Sequence, residues 1–212
     1  MQRIVIAGTD TSVGKTILSA LFMSSIESLY YWKPVQSGLE DETDPETVRR
    51  LSECSSNRII AEVYKLQQPL SPHLSARLDG ITIDENKLGL PAERDLIIEA
   101  AGGVLVPMND NVLQVDVIAM WQIPVVIATR SSLGTINHTL LTLEALRKRN
   151  IEVAGCVTIG EINSQNETAI ATHGKTKILG RIPLLGRIDK TILKQVYDEH
   201  FNTFRQHILK NS

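Results

Sequence analysis

The stretch Gly8-Thr9-Asp10-Thr11-Ser12-Val13-Gly14-Lys15-Thr16 constrains this chain more than any other. It follows Ile4-Val5-Ile6-Ala7, a short β-branched apolar run, and it leads into Thr16 to Leu29, where Ile17, Leu18, Leu21, Phe22 and Ile26 recur at helical spacing. A strand, a glycine-bearing loop and a helix in that order form a phosphate cradle. Gly14 lets backbone N–H groups close on phosphate oxygens, and the helix N-terminus adds the positive end of its dipole. Lys15 is then placed to reach the β and γ phosphates, and the Thr16 hydroxyl to ligate Mg²⁺. Five residues separate Gly8 from Gly14, one more than the usual P-loop spacing.

The remainder of the chain alternates between strand and helix signals. Tyr30-Tyr31-Trp32 reads as a strand ended by Lys33-Pro34-Val35-Gln36-Ser37-Gly38, and Asp44-Pro45-Glu46 reads as an N-cap, a first-turn proline and a first-turn acid opening a helix that includes Val48 and Leu51. The apolar runs beginning at Leu96, Pro124, Val153 and Ile178 are strands, each followed by loop signals and a helical stretch. Residues 54–91 are the least periodic and hold the irregular or inserted material; Ile192 to Leu209 reads as a last amphipathic helix. The expected fold is α/β, with a mostly parallel sheet covered by helices on both faces. At 212 residues the chain is expected to form one domain over 1–212.

Composition narrows the partners. Lys and Arg number 22 against 24 Asp and Glu, so the basic excess of a nucleic-acid-binding domain is missing. Cys54 and Cys156 lie far apart and outside any CxxC spacing, which argues for buried thiols in a reducing compartment rather than disulfides or zinc. Met1-Gln2-Arg3 runs straight into the first strand with no signal h-region, and no apolar run approaches about 18 residues, so a cytoplasmic protein without membrane attachment is expected.

In an open parallel sheet, ligands sit beyond the carboxyl ends of the strands. Lys33 is there, as an anion-neutralising group or a solvated lysine, and so is Ser37, able to hydrogen-bond a polar substrate. Glu99 ends an apolar strand beside Ala100, Ala101, Gly102 and Gly103, which suits a metal-holding acid as well as a capping or ion-paired one. Asp44 equally suits a helix cap.

Taken together, these blocks resemble the dethiobiotin synthetase family. The resemblance rests on Gly-Thr-Asp-Thr-Ser-Val-Gly-Lys-Thr at 8–16, Lys-Pro-Val-Gln-Ser-Gly at 33–38, Pro-Leu-Ser-Pro-His at 69–73, Glu-Ala-Ala-Gly-Gly at 99–103, Leu-Gly-Thr-Ile-Asn-His at 133–138 and Gly-Arg-Ile-Pro at 180–183. The family's P-loop has the same five-residue spacing. What the resemblance implies is a P-loop α/β fold with a seven-stranded, largely parallel sheet, working as a homodimer. The implied reaction is the ATP- and Mg²⁺-dependent ring closure of 7,8-diaminopelargonate with CO₂ to dethiobiotin, ADP and phosphate. Lys15 and Lys33 become the catalytic pair. Thr11, Ser12, Val13, Gly14, Lys15, Thr16 and Ile17 become the nucleotide loop, joined by Glu99, Ala100, Ala101, Gly102 and, on the base side, Pro183, Leu184 and Leu185. Thr16, Asp44 and Glu99 become the Mg²⁺ set, with Asp41 an alternative to Asp44 because of the length of the 39–43 loop. Ser37 would contact the substrate's diamine or carbamate end, and Leu133, Gly134 and Asn137 its tail carboxylate from the second subunit.

Three departures accompany the resemblance. Ser12 stands where the family carries a glutamate, Ala100 where it has a further glycine, and Ile159-Gly160-Glu161 where an Asn-Asp pair reads the adenine edge. Weaker discrimination between bases is therefore expected. A ParA- or MinD-like switch ATPase would need a second lysine early in the loop, which Gly8-Thr9-Asp10 lacks, and an amide-forming ligase of the cobyrinate type would need a glutaminase domain for which 212 residues leave no space.

Overall fold

Strands that are apolar on both faces must be covered on both, and here that requirement builds the molecule. The computed structural model describes residues 2–92, 94–201 and Phe204. In chain order its elements are β1 (Arg3–Gly8), α1 (Lys15–Ser25), β2 (Tyr30–Trp32), β3 (Val35–Ser37), α2 (Asp44–Ser52), β4 (Ile59–Ile60), β5 (Tyr64–Leu66), α3 (Pro72–Leu78), β6 (Leu96–Gly103), α4 (Gln114–Trp121), β7 (Val125–Arg130), α5 (Thr135–Arg147), β8 (Val153–Ile159), α6 (Ser164–Gly174), β9 (Ile178–Ile182) and α7 (Lys190–His200). Seven strands form one sheet in the order β4-β2-β6-β1-β7-β8-β9, and every pairing in it is parallel. The short strands β3 and β5 make a separate parallel pair.

Alternation along the strands divides the core in two. Val5, Ala7, Ile98, Ala100, Val125 and Ile127 face α4 and α5, while Ile4, Ile6, Ile97, Val126 and Ala128 face α1, α2 and α7. On the second face Phe22 packs edge-on against Tyr197 and Phe201 and stacks on Phe204 with centroids 4.3 Å apart. Both cysteines are buried thiols, and burial pushes the Cys156 thiol up to about 12.

The seventh strand lies inside the segment read as irregular. At two residues, Ile59 and Ile60 are too few to show periodicity, and only their pairing with Tyr31 and Trp32 makes them a strand. The cap of α2 also moves by one position. Thr43 is the N-cap, its N–H and hydroxyl both bonded to Glu46 Oε2 (2.8 and 2.7 Å), and Asp44 becomes the first helical residue with its carboxylate free for other partners. Of the expected final helix, α7 accounts for Lys190–His200; residues 202, 203 and 205–209 lie outside the described residues.

Candidate active site

The loop after β1 closes on itself at Gly14. Its φ of 96° is left-handed, and a Cβ there would lie 2.7 Å from Ile159 Cδ1, so the position takes glycine for both backbone and space. Gly14 is also the N-cap of α1 and, having no side chain, leaves the first N–H groups of that helix uncapped. Lys15 is buried, and its ammonium donates to Asp10 O at 2.8 Å. Burial lowers the pKa of Lys15 against the pull of Glu99, the largest of the opposing charges. Arg130, from the tip of β7, donates to Thr11 O at 3.0 Å and ties the loop to the sheet.

Strand register brings the remaining groups to the same place. In β2, Tyr31 pairs with Ile97 and Trp32 with Ile98, so the next residue, Lys33, emerges beside Glu99. In β1, Ile6 pairs with Glu99 but Gly8 with Gly103, so two extra residues of β6 are spent in a bulge at the sheet's carboxyl edge. That bulge turns Ala101 and Gly102 toward the loop; Gly102, at φ 64°, would place a Cβ 3.1 Å from Val106 Cγ2.

Glu99 is 1% exposed, and each of its oxygens has hydroxyl neighbours. Oε2 accepts from Ser19 (2.8 Å) and Tyr31 (3.0 Å); Oε1 faces Thr16 Oγ1 at 3.0 Å and Lys33 Nζ at 3.6 Å. Thr16 Oγ1 also lies 2.7 Å from Asp44 Oδ1, so its single proton serves one carboxylate at a time. Lys33 forms an ion pair and hydrogen bond with Asp44 Oδ2. Burial alone would lower the Lys33 pKa, but Glu99 and then Asp44 raise it above the ordinary lysine value. Burial alone would raise the Asp44 carboxyl, and Lys33 with Thr16 holds it below the ordinary carboxylate value instead. Tyr31, fully buried next to Glu99, titrates well above an ordinary phenol and is a donor throughout the useful pH range.

Lys15, Thr16, Lys33, Asp44 and Glu99 line a cleft of about 740 Å³, to which Pro69, Leu70, Ser71 and Pro72 also contribute. Ser37 lies in it with a buried hydroxyl oxygen that has no hydrogen-bond partner among the described residues. The cleft thus gathers Thr11, Ser12, Gly14, Lys15, Thr16, Ile17, Lys33, Ser37, Asp44, Glu99, Ala101 and Gly102. Asp44, not the exposed Asp41, reaches Thr16 and Lys33. Val13 and Ala100 do not line the cleft: their side chains are buried in the two cores, and Ala100 points away because it alternates with Glu99. Leu184 and Leu133 instead border a second cavity of about 480 Å³ with Arg130, Ile159 and Glu161, while Leu185 packs on the α1 side and Pro183 is half-buried. Gly134 and Asn137, at the exposed start of α5, line neither cavity. Sequence reasoning passed over Ser19, Tyr31 and Arg130; Ser19 was detectable as a hydroxyl four residues after Lys15 on the apolar face of α1.

A glycine loop opening a helix at the carboxyl edge of a parallel sheet, with a lysine and acids converging on it, defines a P-loop nucleotide-binding α/β protein. Solved structures agree on the fold: MinD in the MinC:MinD complex of Aquifex aeolicus superposes with a TM-score of 0.61 at 13% identity over 100% of this chain and 97% of that one. The septum site-determining protein MinD of Pyrococcus horikoshii, complexed with Mg-ADP, gives 0.58 at 12% identity over 99% and 93%. Sequence comparison is more specific. A family model described as an AAA domain matches residues 2–191. The ATP-dependent dethiobiotin synthetase BioD of Agrobacterium fabrum is 52% identical over 94% of both chains, and that of Rhodopseudomonas palustris 48% over 94% of both. The chain belongs to the ATP-dependent dethiobiotin synthetase family, and as an enzyme it is a ligase.

Proposed function

We propose that this chain, as a cytoplasmic homodimer, converts 7,8-diaminopelargonate, CO₂ and ATP to dethiobiotin, ADP and phosphate. The observation that carries the reading is the convergence of Lys33 with Asp44, Glu99 and Thr16 in one cleft with Lys15 and the Gly14 loop. One amine of the substrate adds to CO₂, losing a proton and forming a carbamate. Lys33 stays an ammonium in this setting, since its pKa is raised, and it supplies the positive charge that holds the carbamate near the γ-phosphate. A carbamate oxygen attacks phosphorus and ADP departs, with Lys15 and the loop N–H groups balancing the charge on the transferring group. The second amine then attacks the carbamoyl carbon, the C–O bond to phosphate breaks, and loss of a proton leaves the cyclic urea. Ser37 offers at the diamine end a hydroxyl without a hydrogen-bond partner among the described residues. Leu133, Gly134 and Asn137, which lie outside this cleft in one chain, are read as the partner subunit's contribution at the start of α5, where free N–H groups suit a tail carboxylate.

Thr16, Asp44 and Glu99 fit Mg²⁺. Their oxygens lie within hydrogen-bond distance around one hydroxyl and are the hard donors that ion prefers. When bound there, the ion would neutralise β- and γ-phosphate charge. The experiment is product analysis after incubation with diaminopelargonate, bicarbonate, Mg²⁺ and ATP: dethiobiotin with stoichiometric ADP supports the reading, and ATP hydrolysis without ring closure overturns it.

A further inference from the structure

We infer that Tyr31, seconded by Ser19, is the positioning residue that decides which oxygen Glu99 presents to the cleft. The inference rests on the reading of Glu99 as a Mg²⁺ ligand and goes beyond it to the groups that aim the carboxylate. A glutamate carboxylate rotates freely about its last torsion, which is broad and two-fold, so the side chain alone does not distinguish its two oxygens. Here they are made unequal. Oε2 receives the Tyr31 phenol at 3.0 Å and the Ser19 hydroxyl at 2.8 Å, both from residues with no solvent exposure. Oε1 is left facing Thr16 and Lys33 in the cleft.

The two donors are not equivalent. Ser19 Oγ also lies 2.9 Å from Lys15 O, within its own helix, so one proton is divided between two acceptors. Tyr31 directs its proton at Glu99, and its position is set by the sheet. It pairs with Ile97, and Ile97 and Glu99 stand two residues apart on the same face of β6, which brings the phenol of β2 under the carboxylate of the neighbouring strand. Partners of this kind fix a ligand's orientation before the ion arrives, and their loss typically costs about 10- to 100-fold in metal affinity.

The test is calorimetric titration of Mg²⁺ into the ADP-bound protein, for wild type, Tyr31→Phe, Ser19→Ala and Glu99→Gln, with ADP affinity measured in the absence of metal and melting temperature as controls. Tyr31→Phe keeps the buried ring and removes the donor. Mg²⁺ binding is expected to weaken about 10-fold or more, with ADP affinity without metal unchanged, and Ser19→Ala is expected to weaken it less. Loss in Glu99→Gln with wild-type Mg²⁺ affinity in Tyr31→Phe overturns the role of Tyr31 and leaves Glu99 as ligand. Wild-type affinity in Glu99→Gln overturns the metal reading itself. Should Tyr31→Phe fail to fold, Ser19→Ala carries the test: severalfold weaker binding at an unchanged melting temperature supports the clamp, and unchanged binding overturns it.

Discussion

Lys15 and Lys33 are buried lysines with opposite electrostatic environments. Lys15 sits on a backbone carbonyl with its pKa lowered, whereas Lys33 sits between two carboxylates with its pKa raised. In the proposed reaction the counter-charge for Lys15 is phosphate. Lys15→Ala should weaken nucleotide binding and lower turnover by about 100-fold or more, while Lys33→Ala should leave nucleotide binding intact and abolish carbamate use. Calorimetry with an ATP analogue beside a dethiobiotin assay separates the two. Asp44 carries a pH signature. Its folded-state pKa lies below the unfolded one, so its ionised form stabilises the protein above about pH 4, and that stabilisation fades as pH falls through the folded value. Lys33 has the opposite sign: its contribution is present below the ordinary lysine value of about 10.4 and is lost as pH rises through the raised folded value. In the metal-free protein, urea unfolding should show wild type more stable than Asp44→Asn at pH 7, with the gap shrinking at pH 3, and Asp41→Asn showing no such gap. Ile159, at the position where the resemblance implies an adenine-reading asparagine, packs over Gly14. Fewer polar groups are stranded by a wrong base, so GTP and CTP should compete with ATP better here than in a relative with that asparagine, as kcat/KM values would report.

At the scale of elements, the carbonyls at the end of α1 are satisfied from a distant part of the chain. The last turn of α1 contains no basic residue, and Arg58, over thirty positions away, donates to Met23 O, Ile26 O and Leu29 O at 3.2, 2.8 and 2.8 Å. A guanidinium serving carbonyls at a helix C-terminus satisfies orphan acceptors and meets the negative end of the dipole. Arg58→Ala should cost about 1–3 kcal/mol in chemical denaturation, and ATP affinity should be unchanged because the opposite end of α1 forms the loop. The β6 bulge belongs at this scale too. It converts a regular strand end into the surface that carries Ala101 and Gly102 to the nucleotide loop while Glu99 stays in register.

The whole molecule has a cleft at the carboxyl edge of its sheet and, separated from it, an exposed loop before α5 with Leu133 fully exposed. Among the described residues no helix is long and apolar enough to cross a membrane. If the substrate site is shared between two copies, as proposed, defects in different parts of it should complement. Lys33→Ala and Gly134→Val, each inactive alone, should after denaturation and co-refolding recover about a quarter of wild-type activity, because half the dimers are mixed and each has one intact site. No recovery, with mixed dimers demonstrated by mass, would place both residues in a site built by one chain.

The order of strand, phosphate loop and helix was legible in the sequence because each depends on local pattern: β-branched runs, a glycine at the turn, apolar spacing of a helix. Lys15, Thr16, Lys33 and Glu99 could be singled out because the carboxyl ends of parallel strands are where a sheet of this kind places its ligands. Only the tertiary structure showed that Asp44 rather than Asp41 meets Thr16 and Lys33, because Thr43 takes the cap and leaves the Asp44 carboxylate free to turn toward them. It also decided that Ile59 and Ile60 form a strand and that Tyr31 faces Glu99. Those facts are pairings between residues as far as 68 positions apart, set by strand register, and periodicity along a single segment carries no information about register with another.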